Sequence, residues 1–147
     1  MNQHPQTATR NIALLLTGFL VRNGARPFSW SRDNCCLFAA DWAHVLTGTD
    51  PAAQFRGGFL SALGAMRIVR DHGGIANIAD TMLTAHGWER TDNPKYGDIA
   101  TTPHERTGSV VGICIDHEVL LKIDIRQAFA AAPIAQVQRA WTWKGGE

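Results

Sequence analysis

Residues 33–48 of the chain read DNCCLFAADWAHVLTG, and this stretch decides how the rest of the sequence is interpreted. Asp33 and Asn34 are residue types that cap helix N-termini, and Gly48 is a typical helix stop. The large apolar residues between them recur every three or four positions, as on one side of a helix. The stretch therefore predicts a helix from about Asn34 to Leu46 that begins at two adjacent cysteines.

Helical patterns surround this segment, and short β-branched runs follow them. Further helices are predicted over Thr9–Asn23, Phe59–Arg70 and Ile75–Ala85, strands over residues 96–100, Ser109–Ile115, Glu118–Ile123 and Val137–Trp143, and one helical turn over Arg126–Ala132. Helices thus come first and strands second, which favours an α+β fold with N-terminal helices packed on a small antiparallel sheet over a parallel α/β fold.

Composition indicates one globular domain spanning residues 1–147. The net charge is only +1 and the basic residues are scattered, so no nucleic-acid partner is expected. The longest apolar stretch is too short for membrane insertion, and the polar start lacks the features of a secretory signal. We therefore expect a protein made in the bacterial cytoplasm. Its three cysteines are an odd number and predict reduced thiols, while the absence of CxxC and HExxH spacings predicts no metal and no cofactor.

Cys35 is the candidate nucleophile, because a cysteine in the first turn of a helix faces unpaired N–H groups that favour the thiolate. Acyl transfer would also need a base and donors to a developing oxyanion, for which the backbone amides of Cys35 and Cys36, next to Asn34, are candidates. The other interpretation is that Cys35 and Cys36 are small buried apolar residues.

The run from Phe28 to Trp42, with residues 47–52 and 56–57, resembles an uncharacterised family of phage and prophage tail modules. That family is in turn similar to the NlpC-type, papain-like cell-wall cysteine peptidases. In those enzymes an Asp-Cys pair opens a helix, a Gly-Asp pair begins a strand, and a His-Val-Gly-Ile-like strand supplies the base. Asn34-Cys35, residues 96–99 and residues 110–113 match these three elements in order. The resemblance implies a papain-like fold with Cys35 as nucleophile.

One departure bears on activity, because Val110 stands where the peptidases carry the basic histidine. Loss of a general base typically lowers a rate by about 100- to 10,000-fold. His104, predicted in the loop before the Ser109–Ile115 strand, is the candidate substitute if that loop folds back toward the helix start. Its other interpretation is a solvated loop histidine.

Three further residues support the site. Trp30 and Asp41 belong to the segment that carries the resemblance, and Arg56 is the predicted partner of Asp41, which would bond a neighbouring loop. Trp141 and Trp143 alternate on the last strand and share a face, so they form either core or a contact patch for another subunit.

The sequence leaves three functions open. A phage tail-tip or tail-assembly protein, located in the virion and bound to other tail proteins, would keep the papain-like fold after losing its base. An active thiol hydrolase would cut peptidoglycan peptides during phage entry. An intracellular effector or immunity-type binding module with the same fold has no residue in its favour. Thiol reactivity of Cys35 and co-purification with tail proteins separate the first two.

Overall fold

The computed structural model describes residues 5–24, 35–59, 61–105, 107–122 and 129–144. These residues form four α-helices and six β-strands, with the helices first along the chain. The helices are α1 (Pro5–Gly24), α2 (Cys35–Thr47), α3 (Ala62–Asp71) and α4 (Ile75–Thr84), with short 3₁₀ turns at Arg56–Phe59 and Ile134–Gln136. The strands are β1 (Trp88–Arg90), β2 (Ile99–His104), β3 (Gly108–Ile115), β4 (Glu118–Leu121), β5 (Ala130–Pro133) and β6 (Arg139–Trp143).

All six strands join one antiparallel sheet in the order β1-β6-β2-β3-β4-β5. The central hairpin pairs Ile99 with Ile113 at one end and His104 with Gly108 at the other. The segment after β5 passes through a 3₁₀ turn and returns as β6 on the far side of β2. The predicted α+β class, with helices packed on an antiparallel sheet, is confirmed.

The two faces of the sheet have different roles. On the face that we call the covered face, Ile99, Val111, Ile113 and Trp141 are buried together with apolar residues of α1, α2 and α4. On the opposite face, which we call the second face, small residues such as Ala100 form a separate cluster, partly covered by side chains of the segment between β5 and β6. Because side chains alternate along a strand, each residue's register position fixes its face.

Helix α2 packs across β3 on the covered face, and α1 packs on α2. The Trp42 indole Nε1 donates a 2.8 Å hydrogen bond to the Gly97 carbonyl just before β2, which fixes the C-terminal half of α2 against the sheet. Gly97 has φ of 89°, and a Cβ there would lie 2.9 Å from Ile12 of α1. Only glycine meets both requirements without strain.

Several predicted elements need correction. The helical turn predicted over Arg126–Ala132 is wrong where it is described, since residues 130–132 belong to strand β5 and pair with β4. Alanine favours helices, but pairing with an exposed strand edge overrides that propensity here. Strand β1 was not predicted, and β2 begins at Ile99 rather than Tyr96. Trp141 is fully buried and Trp143 packs against the same cluster, which confirms the core interpretation of both.

The helices in the described parts of the chain lack the combination of length and apolar character that a membrane span requires.

Candidate functional site

The start of α2 lies within one residue of its predicted position, with Cys35 as the first helical residue. The side chain of Cys35, together with Trp30 and Asn34, lies outside the described residues. The neighbouring Cys36 is only 3% exposed and packs in the core on the covered face. The apolar interpretation therefore holds for the Cys36 side chain, and the role of its backbone amide as an oxyanion donor stays a prediction.

Cys114 is the second thiol that the structure places in a core. It lies on β3, on the second face, and is 1% exposed. Burial, and secondarily the negative charge of Asp98, raises the pKa of Cys114 to about 12. Because the thiolate is the reactive form, this thiol is unreactive near neutral pH in the folded protein.

His104 does not lie in a loop, contrary to the prediction. It is the last residue of β2, paired with Gly108 across the hairpin, and Thr107 Oγ1 lies 3.3 Å from its Nδ1. The sequence predicted the strand only as far as residue 100, whereas β2 continues to His104 with Pro103 at an exposed position inside it. Strand alternation places His104 on the same face as Ala100 and Thr102, the second face.

Val110 also lies on the second face, 4% exposed, in the cluster with Ala100 and Cys114. The position that the resemblance aligns with the basic histidine is therefore on the side of the sheet away from α2. Neither Val110 nor His104 is presented to the helix that Cys35 begins.

The remaining described histidines lie outside the strands that face α2. His72 and His86 each place Nδ1 within 2.9 Å of a backbone carbonyl four residues earlier, at the ends of α3 and α4 respectively. His44 is exposed on α2, and His117 is exposed in the turn between β3 and β4. Among the described residues, no three His, Cys, Asp or Glu side chains cluster as metal ligands would.

Arg56 bonds the carboxylates of both Asp41 and Asp50, and its pairing with Asp41 was predicted. Its Nη2 donates to Asp41 Oδ1 at 2.6 Å, and its Nε donates to Asp50 Oδ2 at 2.7 Å. Asp50 also accepts from the Ala52 amide at 3.0 Å. Burial opposes ionisation of Asp50, but the hydrogen bonds from Arg56 and Ala52 hold the pKa of Asp50 below its usual value. This half-buried cluster holds the loop after α2 against the helix. It confirms the predicted Asp41–Arg56 pair.

A buried lysine was missed by the sequence analysis. Lys122 directly follows β4 and is fully buried, and its Nζ donates to the main-chain and side-chain oxygens of Asn23 at 3.0 and 2.7 Å. Asn23 is 1% exposed and lies one residue before the end of α1. The signal in the sequence was the position of Lys122, which continues the covered-face parity of Leu120 in an apolar β-run.

A second buried polar cluster lies at the start of β2. Asp98 is 4% exposed and accepts from the Lys95 amide at 2.9 Å and from Thr142 Oγ1 at 2.8 Å, and Lys95 Nζ also contacts Thr142. Burial raises the pKa of Asp98 despite these hydrogen bonds. This network ties β2 to β6 on the second face, away from α2.

Fold and site together define an α+β domain whose helix α2, starting at a cysteine, packs on the covered face of a six-stranded antiparallel sheet. The chain belongs to the family described as "Domain of unknown function (DUF6950)", whose model matches residues 10–143. Comparison with curated proteins and with solved structures gave no match.

Proposed function

We propose that the protein is a phage tail-tip or tail-assembly component with an NlpC-type, papain-like fold whose site no longer hydrolyses peptides. The tail-module resemblance of residues 28–42 supports the assignment to the tail. The three short matches to the peptidases occur in the same order along the chain, at the starts of α2 and β2 and within β3, and this order supports the papain-like fold.

The observation that carries the loss of hydrolysis is the position of the candidate bases. Val110 and His104 both belong to the second face, whereas α2 packs on the covered face. Amide hydrolysis by a thiol needs an imidazole that takes the thiol proton and later protonates the leaving amine. If neither Val110 nor His104 takes the proton of the Cys35 thiol, a thiolate can attack an electrophile but releases an amine slowly.

The second candidate is a thiol hydrolase that cuts peptidoglycan peptides. One observation favours it: α2 begins at Cys35, the position where the positive end of the helix dipole favours a thiolate. Under this alternative a base from outside the described residues would complete the site. The two candidates share the same fold and differ in whether Cys35 turns over a peptide substrate.

Association with tails tests the proposal. A tagged copy of the chain would be expressed in the strain that encodes it during prophage induction, and intact particles would be separated from free protein by density-gradient centrifugation. We expect the chain in the tail fraction, and Cys35→Ala should associate equally well because assembly does not require the thiol.

Exclusion of the wild-type chain from every particle fraction, with the protein soluble and folded in the same lysate, would contradict the tail assignment. A Trp42→Ala variant, which loses a fully buried indole and its bond to Gly97, is the matched negative control for a folded association surface.

A further inference from the structure

Helix α1 is apolar on two opposite sides. Its inner side includes Leu16 and Phe19, which are buried in the core with α2. Its outer side lies opposite them by helical spacing and consists of Asn11, Leu14, Leu15, Gly18, Val21 and Arg22. Leu14 and Val21 are 73% and 71% exposed. A helix on the surface of a domain normally carries polar residues opposite its core side, so an apolar outer side is typical of a helix that binds a partner.

The outer side has a groove centred on Gly18. Its volume is about 470 Å³, and it is lined by Asn11, Leu14, Leu15, Gly18 and Arg22. Gly18 has no side chain, so another backbone can approach closely at this point. Leu14, Gly18 and Val21 are spaced by four and three residues and form a row along the helix, which is the relief into which a ridge of side chains from a second helix packs. The shape of the groove therefore favours a helix as its occupant.

The groove also contains a positive charge. The Arg22 side chain folds back over Gly18, where a Cβ would lie 3.3 Å from the Arg22 Nη1. Within the described parts of the chain, no acceptor is bonded to this guanidinium. An arginine beside exposed leucines offers a planar set of donors to a carboxylate that arrives with the occupant. The charge of the groove therefore favours an acidic partner.

Two other occupants match this charge less well. A second copy of α1 would bring another Arg22 and no carboxylate, because residues 5–24 contain neither Asp nor Glu. An anionic membrane attracts helices whose polar side carries several Lys or Arg residues, whereas the outer side of α1 has one arginine. An acidic amphipathic helix supplies both the apolar ridge and the carboxylate.

We propose that the outer side of α1 binds an acidic amphipathic helix of a partner protein. Apolar residues of that helix pack on Leu14, Leu15 and Val21, and one of its carboxylates accepts hydrogen bonds from Arg22. The inference goes beyond the proposed function and rests neither on the tail assignment nor on Cys35.

The test compares two synthetic helical peptides of about 20 residues, a length that matches α1. Both carry the same leucines at helical spacing, flanked by glutamates in one peptide and by lysines in the other. Fluorescence anisotropy of the labelled peptides measures their affinities. We expect the wild-type chain to bind the glutamate peptide at least about 10-fold more tightly than the lysine peptide, and Arg22→Glu should reverse this preference.

Two further variants separate contact from folding. Leu14→Gln should weaken the binding of the glutamate peptide about 10-fold, because it removes apolar surface from the contact. It should leave the urea midpoint unchanged, and a loss typical of a core substitution would show that Leu14 is covered in the folded protein and would overturn the proposal. Arg70→Glu is the matched control, at a mostly exposed arginine of α3, and should not change the preference between the peptides.

The wild-type chain alone can overturn the proposal, by failing to bind the glutamate peptide or by binding both peptides equally. A dimer seen by sedimentation velocity that Leu14→Gln dissociates would assign the outer side to a second copy instead. Co-sedimentation with vesicles of phosphatidylcholine and phosphatidylserine that Leu14→Gln abolishes would assign it to a membrane surface. Either result overturns the proposal and leaves the tail assignment intact, whereas exclusion from particles removes the tail assignment without affecting peptide binding.

Discussion

Two polar clusters, one beside helix α2 and one at the end of α1, differ in burial and in composition. The cluster beside α2, Asp41–Arg56–Asp50, is partly exposed and places the Arg56 guanidinium between two carboxylates. The second cluster, Lys122–Asn23, is fully buried and joins the residue after β4 to the last turn of α1, where the ammonium donates to both oxygens of Asn23.

The two clusters are expected to contribute differently to the stability of the fold. Charges that face each other at a half-exposed surface gain little free energy and hold a loop in place. A buried ammonium is costly, and apolar residues of the same volume often serve stability equally well or better. Substitutions of Lys122 and of Arg56 therefore compare a fully buried cation with a half-exposed one.

The largest expected effect is on stability at the buried cluster. Lys122→Ala removes a fully buried side chain, leaves a cavity and strips the Asn23 oxygens of their donor, so we expect a loss of about 3 kcal/mol in the free energy of unfolding. Urea unfolding followed by tryptophan fluorescence measures it. The volume-conserving Lys122→Met should lose much less, and equal losses for both variants would show that the charge, rather than the packing, stabilises the fold.

A smaller loss of stability is expected at the Asp41–Arg56–Asp50 cluster. Arg56→Met removes the bridge between Asp41 and Asp50 at a half-exposed position, and we expect a loss of about 1 kcal/mol. Arg70→Met is the matched control, because the Arg70–Asp71 pair is mostly exposed, and it should leave the urea midpoint unchanged. A larger loss from Arg56→Met than from Lys122→Ala would reverse the proposed difference between the clusters.

The two clusters should also differ in pH dependence. The pKa of Asp50 is lower in the folded protein than in the unfolded chain, so its contribution is present above the unfolded pKa and is lost as the pH falls through the folded pKa. The stability deficit of Arg56→Met should accordingly shrink below about pH 4. Urea midpoints of wild type and Arg56→Met between pH 2 and pH 6, about two units either side of that value, measure it. A deficit that stays constant across this range would contradict the assigned role of Arg56.

The smallest expected signal is the reactivity of the core thiols. With its pKa raised to about 12, Cys114 should remain unlabelled by iodoacetamide at pH 8 in the folded protein and react once urea unfolds it. Cys36, buried in the other cluster, should behave in the same way. Labelling of Cys114 in the native protein at a rate near that of free cysteine would show that the second face is open.

The sequence predicted the parts of the fold that rest on periodicity and capping. The helix that begins at Cys35 and the strand over Ser109–Ile115 were placed to within one or two residues, because apolar spacing and glycine stops define them locally. Residues 130–132 were misassigned, since only pairing with β4 makes an alanine run a strand.

The site was harder to predict because its geometry depends on which face of the sheet each residue joins. His104 was predicted in a loop and Val110 was aligned by resemblance with the peptidases' histidine, and the hairpin register places both residues on the second face. Lys122 was missed because its partner Asn23 lies 99 residues away in the sequence. The Asp41–Arg56 pair was predictable because the helix and the capped turn at Asp50 are close in sequence.

The most direct test of the central claim is digestion of purified bacterial peptidoglycan with the wild-type protein and with Cys35→Ala, followed by mass spectrometry of the released peptides. Because Val110 and His104 both lie on the second face, away from α2, we predict no peptide release by wild type above the Cys35→Ala background. Release of defined stem peptides that depends on Cys35 would contradict the account and establish the hydrolase.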